Sequence, residues 1–391
     1  MGFPYWSAQL PSALFHAHAG VGMTSDIKGR ALLGNNAYKQ EVVYLDIRNG
    51  GNIVCLAAPR YGKGALCKPL AVQVSKFKKV CIFDYKGEWA AHITQYNSLA
   101  QYPERLVDFF IADNFAFAIT DFNQVGDWVG FGFQDDAAQF MYKIVRSIYH
   151  NGEIDRIREM IKKLPVRDDD VDSFNSDYGT DLLVAIHTAS KGALGRRFEV
   201  VQRFFWTGVS DVRQRLDFWQ LWRDYKHLII DLSDRRDGFR DIGKARAYAG
   251  LILRQMSITF DYTQGFFVIE EGSQLLANLE RLADGSVVGY SEFHKLVERL
   301  VTLSPKQGVN LLILAQSRRQ LYTNILVYLP IQLIGRLNPL DDLTEFEKGL
   351  NEQLRVYPGT GRREWWLVDT FYNLQVKFVA ALPCCGFETN R

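Results

Sequence analysis

Asn52-Ile-Val-Cys-Leu-Ala-Ala-Pro-Arg-Tyr-Gly-Lys-Gly64 is a short apolar run that ends in a turn. The apolar part is too short for a helix and carries β-branched residues, so it reads as a buried strand. The Gly62-Lys63-Gly64 turn leads into a helical stretch from Ala65 to Phe77. Strand, glycine-lysine turn and helix form the setting of a phosphate-binding loop. Amide groups at the helix start would hold phosphates, and the lysine would reach the outer ones. Pro59, Arg60, Tyr61, Gly62, Lys63, Gly64 and Ala65 are therefore the candidate nucleotide-binding residues. Two positions depart from the pattern GxxxxGK[ST]: Ala57 replaces the first glycine, and Gly64 replaces the hydroxyl residue that binds Mg²⁺. A Gly-Lys-Gly turn is also a common plain connection, so this loop does not settle function by itself.

Four more apolar runs end in a polar residue. They are Val80-Cys-Ile-Phe-Asp84, His227-Leu-Ile-Ile-Asp231, Phe266-Phe-Val-Ile-Glu270 and Val309-Asn-Leu-Leu-Ile-Leu-Ala-Gln316. Continuous apolar runs separated by helical patterns predict parallel strands covered on both faces. Polar residues at their C-terminal ends lie where open α/β sheets bind ligands. The stretch 121–222 has a different texture, with helical spacing, charge clusters and the acidic loop Asp168-Asp-Asp-Val-Asp172. It reads as a helical insertion. The resulting division is an N-terminal arm or hairpin at 1–40, a core at 41–120 and 223–380, the insertion at 121–222, and a tail at 381–391.

Composition narrows the classes further. With 391 residues, 47% of them hydrophobic and 23% charged, the chain can bury a large core and is not a disordered polymer. Lys+Arg total 46 against 44 Asp+Glu, a net charge of +2, so any nucleic-acid surface must be local. Five cysteines, an odd number without a CxxC pair, argue against a disulfide framework or a structural zinc site and for a reducing, cytoplasmic setting. No stretch has the roughly 20 apolar residues of a membrane span, and the N-terminus lacks the basic start of a signal peptide.

Chemistry-bearing positions cluster at the strand ends. In Phe266-Phe-Val-Ile-Glu-Glu271, a buried strand delivers two adjacent acids, the form of a Walker B motif. Glu270 would serve the Mg²⁺ shell and Glu271 would polarise the attacking water; the bland alternative is a pair of solvated glutamates. Gln316 is placed to sense a γ-phosphate, or simply to cap its strand. Between Ile186 and Trp206, Lys191, Arg196, Arg197 and Arg203 face a single acid, Glu199, with Phe198, Phe204, Phe205 and Trp206 interleaved. Basic and aromatic residues together suit nucleic-acid contacts; a solvated basic helix face is the competing reading.

Asp84-Tyr-Lys-Gly-Glu88 makes the resemblance specific. A strand ending in D-x-K-G-E soon after the loop resembles the HerA/FtsK-type motor ATPases, which include conjugation and type IV secretion ATPases. Leu33-Gly34 with Val42-Val-Tyr-Leu-Asp46, Leu194-Gly-Arg-Arg-Phe198, His227-to-Ser233, Phe267-to-Leu276, Gly308-to-Ser317 and Ile334-Gly-Arg-Leu337 resemble further family segments in the family's order. The resemblance spans most of residues 30–340. It implies a RecA-like P-loop α/β core with a mainly parallel sheet, ATP and Mg²⁺ as cofactors, and a homo-hexameric ring with DNA in its central channel. It implies Lys63 on the β/γ-phosphates, Glu270 and Asp84 about the metal, Glu271 as base and Gln316 as sensor. An arginine usually reaches a neighbouring subunit's nucleotide; here Lys306, Arg299 and Arg336 are the candidates, and the sequence does not choose. The lack of a hydroxyl at Gly64 implies preserved nucleotide affinity with slow hydrolysis. The implied function is a DNA translocase. Secretion, conjugation or pilus assembly, viral genome packaging, and a nucleotide-binding structural role remain as alternatives, with a nuclease, a secretion complex or a capsid as the corresponding partner.

Overall fold

Seven parallel strands and five antiparallel ones join in a single sheet. The computed structural model describes residues 6–7, 29–39, 41–47, 51–99, 107–112, 115–116, 214–215, 218–233, 242–259, 265–277, 280–281, 287–288, 292–338, 343–356, 363–370 and 373–380. The basic residues Lys191, Arg196, Arg197 and Arg203, nearly all of the stretch 121–222, and the tail 381–391 lie outside the described residues.

The strands are β1 (Trp6–Ser7), β2 (Arg30–Asn36), β3 (Val42–Asp46), β4 (Ile53–Leu56), β5 (Lys79–Asp84), β6 (Phe109–Ala112), β7 (His227–Asp231), β8 (Gly265–Ile269), β9 (Asn310–Ala315), β10 (Ile331–Ile334), β11 (Glu364–Asp369) and β12 (Leu374–Ala380). Across the sheet they run β1-β3-β2-β12-β11-β10-β4-β9-β8-β5-β7-β6. The block from β10 to β6 is parallel. From β10 outward to β1 every pairing is antiparallel. All five apolar runs that the sequence marks as strands fall inside the parallel block. The mainly parallel α/β sheet expected from them is therefore present.

Both faces of the sheet are covered, which explains why its central strands are apolar throughout rather than alternating. Along β8, Phe266 and Val268 enter one core, and Phe267 and Ile269 enter the other. The first core is closed by α1 (Lys63–Val74) and α2 (Trp89–Leu99), through Leu66, Cys67, Leu70, Trp89 and Ile93. The second lies under α3 (Phe218–Asp224), α4 (Ile242–Thr259), α5 (Gly272–Leu275), α6 (Glu292–Gln307), α7 (Thr323–Leu326) and α8 (Glu345–Glu352). Each fully buried large side chain in these layers contributes about 1.5–3 kcal/mol. Phe83, Phe266 and Phe267 are among the largest. Among the described residues no helix is long and apolar enough to cross a membrane.

One core group makes stability depend on pH. His227, at the start of β7, is fully buried, and neither ring nitrogen has a hydrogen-bond partner among the described residues. Burial, then repulsion from His92, pushes its pKa down to about 3. Burial, then Lys68, takes His92 down to about 4. Both groups bind a proton more readily in the unfolded chain, where the pKa is about 6.5. The stability they preserve is complete above pH 6.5 and is lost as pH falls from there toward 4 and then 3. At pH 5 the His227 share is about 2 kcal/mol, 1.5 units at about 1.36 kcal/mol each. Urea denaturation at pH 7 and pH 5 should show this loss, and His227→Leu should lose about 2 kcal/mol less between the two pH values. An equal loss in both proteins would show that His227 does not carry the effect.

Candidate nucleotide-binding site

The sheet order brings separate sequence motifs to one edge. β4 lies between β10 and β9, β8 follows β9, and β5 follows β8. Leu56 is level with Ala315, Ile313 with Ile269, and Ile269 with Phe83. Because these strands are parallel, the loop after β4, Gln316 after β9, Glu270-Glu271 after β8 and Asp84 at the end of β5 emerge side by side. This is the crevice at the carboxyl ends of the strands where open α/β sheets bind ligands.

The loop after β4 has an anion-binding form. Gly62 takes φ 103°, a left-handed conformation, and caps α1. That conformation is open to glycine at little cost. The helix start has no side-chain cap and no acid in its first turn, so its amides and positive dipole end face the loop. The loop is braced by Ala58 N–H donating to the Arg336 carbonyl at 2.8 Å. Lys63 folds back, its ammonium donating to the Ala57 and Ala58 carbonyls. Burial lowers the Lys63 pKa, while Cys55 and Glu271 nearby oppose the shift. Pro59, Arg60 and Tyr61 form the outer turn, with Arg60 at φ 62°. Tyr61 is buried, donates to the Glu364 carbonyl at 2.7 Å, and meets Trp365 edge-on with 5.2 Å between ring centres. Gly64 and Ala65 lie in the first turn of α1.

The acids have distinct settings. Glu270 is 4% exposed, and its Oε2 accepts from the Lys86 N–H at 3.1 Å. Burial, then the charge and hydrogen bond of neighbouring Asp84, push its carboxyl well above the usual range. Asp84 is itself buried and accepts from the N–H groups of Gly87, Glu88 and Trp89 at 2.8, 3.3 and 2.9 Å. It therefore shapes the turn that starts α2 as well as facing Glu270. Glu271 adopts φ 49°, ψ 49°, the left-handed region, at the cap of α5. A bulky residue there stores about 1–2 kcal/mol of strain. Its Oε1 is paired with the Lys86 ammonium and its Oε2 accepts from Gln316 Nε2 at 3.4 Å. The sequence-predicted base and sensor are thus in contact. Lys86 loses by burial but gains more from Glu271, Glu270 and Glu88, so its pKa is raised.

The candidate trans residues separate clearly. Arg336 follows β10, is exposed, and stands beside the loop of its own chain. Lys306 and Arg299 lie on α6, and Lys306 is close to its C-terminal end, just before β9 begins. Lys306 is therefore at the opposite edge of the sheet, about 20 Å away at roughly 3.3 Å per strand residue.

Three basic residues escaped the sequence reading. Lys86 was visible only as part of its motif. Arg363, just before β11, donates to the Arg60 carbonyl and lies 5.4 Å from the Tyr61 ring centre; it comes from a distant antiparallel strand and carries no local signal. Lys68 bonds Glu88 at 3.0 Å; its only sequence signal is its position four residues after Gly64.

The grouping suits a nucleotide carrying a hard divalent cation. Among the described residues, no three His, Cys, Asp or Glu side chains form a metal site by themselves. Two buried carboxyls that share a proton can exchange it for a cation whose other ligands are phosphate and water.

No family profile matches the chain, and no curated protein does. Among solved structures, VirB4 of Thermoanaerobacter pseudethanolicus is similar at 13% identity and TM-score 0.57, over 92% of this chain and 97% of that one. The plasmid coupling protein TrwB in complex with ADP and Mg²⁺ is similar at 12% identity and TM-score 0.54, over 87% of this chain and 86% of that one. TrwB with the non-hydrolysable GTP analogue GDPNP is similar at 10% identity and TM-score 0.54, over 100% and 98%. At these identities the likeness establishes the fold: the chain carries the P-loop α/β architecture of VirB4 and TrwB, the fold that the motif resemblance implied.

Proposed function

We propose that this chain is an ATP-driven motor of the HerA/FtsK type that moves double-stranded DNA through a homo-hexameric ring. The observation that carries the reading is the meeting of Lys63, Gln316, Glu271 and Glu270 at one sheet edge, from three strands far apart in sequence. The open amides of α1 bind the β- and γ-phosphates, and Lys63 exchanges its loop carbonyls for phosphate oxygens. Glu270, supported by Asp84, holds the Mg²⁺ shell. Bound Mg²⁺ neutralises charge on the phosphates. Glu271 orients and deprotonates the attacking water once its carboxylate leaves Lys86, and Gln316 couples that carboxylate to the γ-phosphate position. Arg336 rims its own site, whereas Lys306, at the far edge, is placed for a neighbour's nucleotide.

A second reading, a conjugation or type IV secretion ATPase, draws support from the likeness to VirB4 and to the plasmid coupling protein TrwB. Turnover separates the two. The translocase reading expects a hexamer by mass and ATP hydrolysis stimulated by double-stranded DNA. A hexamer whose turnover ignores DNA favours the secretion reading.

The DNA surface has its own test. Neutralising Arg196, Arg197 and Arg203 together should weaken DNA binding and reduce the slope of log K against log salt by about 0.9 per lost phosphate contact. An unchanged slope would leave these residues as a solvated face and move the DNA contact elsewhere.

A further inference from the structure

Position 64 lacks a hydroxyl, yet the space in front of it is filled by charge. Lys68 lies one helical turn after Gly64 on the same face of α1, and helical side chains lean toward the N-terminus. A Cβ at residue 64 would stand 3.6 Å from Lys68 Cε and 3.8 Å from its Nζ. The ammonium therefore borders the ground that a Ser or Thr side chain at this position would occupy. Lys68 is 3% exposed. Its Nζ is 3.0 Å from Glu88 Oε2 and 5.8 Å from the Trp89 ring centre, and its field also reaches Glu270.

This arrangement is unusual for a simple surface ion pair. A lysine held for such a pair keeps its ammonium in water, where hydration is retained. Here the ammonium is buried beside the phosphate-binding turn, while the Glu88 side chain is 57% exposed. Burying an ammonium is costly unless strong anionic partners meet it. Glu88 and Glu270 bring such anions to it here, and a nucleotide phosphate entering beside α1 would be a further one.

We propose that Lys68 is a second phosphate-binding cation of this site, standing beside the position of the missing hydroxyl, so that nucleotide binding survives removal of divalent cations. The inference rests on the nucleotide-binding reading above and deepens it. Lys63 and Lys68 then share the phosphate charge, and the hydroxyl at position 64 becomes dispensable for binding. Mg²⁺ remains a requirement of hydrolysis.

The test is the affinity for the non-hydrolysable ATP analogue AMPPNP, measured by calorimetry with Mg²⁺ and with EDTA. Wild type should lose less than about tenfold in EDTA. Lys68→Met should lose about 30-fold or more in EDTA relative to wild type, the scale of one charge-assisted hydrogen bond. The exposed Glu88 tolerates loss of its partner, so this variant should fold; Lys68→Gln provides a second variant. Glu88→Gln removes the ion pair but keeps the ammonium, and should retain the EDTA affinity. The double variant Gly64→Ser, Lys68→Met should recover binding in Mg²⁺ only. Even beside the wild-type Lys68, a Cβ at residue 64 meets no more than ordinary contact. Wild-type binding that is strong in Mg²⁺ but falls more than 100-fold in EDTA overturns the proposal and leaves the nucleotide site standing. So does a Lys68→Met variant with wild-type affinity in EDTA. Absence of wild-type binding even with Mg²⁺ overturns the nucleotide site itself, and this inference with it.

Discussion

Lys63→Ala is expected to reduce ATP affinity by at least 100-fold while leaving the chain folded. The lysine supplies the charged donor nearest the loop, and each charge-assisted hydrogen bond to a phosphate is worth about 1.5–3 kcal/mol. Two such bonds correspond to a factor of 100 or more at about 1.4 kcal/mol per tenfold. The fold should not suffer. Burial already disfavours the Lys63 ammonium, and its present bonds go to the Ala57 and Ala58 carbonyls of the adjoining loop. The loop keeps its other braces, from Ala58 N–H to the Arg336 carbonyl and from Arg363 to the Arg60 carbonyl. Calorimetric titration with ATP and Mg²⁺, together with thermal unfolding, checks both halves. A folded variant with unchanged affinity would remove the phosphate-loop assignment.

Glu271→Gln is expected to lower turnover by about 10²–10⁴ while ATP binding is kept, because an amide cannot accept the proton of the attacking water. The substitution is close to isosteric and leaves the left-handed backbone at residue 271 as it is. It removes the ion pair with Lys86 but preserves an oxygen toward Gln316. Glu270→Gln is the informative comparison. Glu270 is buried against Asp84 and turned to the Lys86 amide rather than to Gln316. Its loss should act through the metal shell and raise the Mg²⁺ concentration needed for half-maximal turnover. If Glu270→Gln abolishes turnover at saturating Mg²⁺ and Glu271→Gln does not, the two roles are reversed.

The two adjacent acids differ because of where the strand ends. β8 is hydrogen-bonded on both sides up to Ile269, and Glu270 N–H still donates to the Phe83 carbonyl. Glu270 therefore stays in the sheet's frame and faces the next strand's acid. One residue later the backbone turns into the left-handed region, and Glu271 meets Gln316 after β9 and the Lys86 ammonium after β5. A sequence shows two consecutive glutamates; the turn between them assigns different neighbours.

Amino-acid order alone determined five of the seven strands of the parallel block and the identity of its central motifs. Five apolar runs, each too short for a helix and lacking polar alternation, can be buried only as strands covered on both faces, and all five are. Gly62 before Lys63 is likewise legible, because the left-handed turn at the start of α1 favours that residue. The antiparallel strands β11 and β12 were not legible as parts of the same sheet. Their pairing with β10 and β2 joins residues far apart in sequence, and strand pairing is set by long-range register rather than by local pattern. The same reason hides Arg363, which reaches the loop only because β11 runs back beside β10. Lys68 and Lys86 were legible as residues but not as site members, since the strand order and the direction of a helical side chain decide what an ammonium meets. The placement of Lys306 at the edge opposite the loop follows from topology alone: a helix that feeds the start of a parallel strand ends on the side away from the ligand crevice.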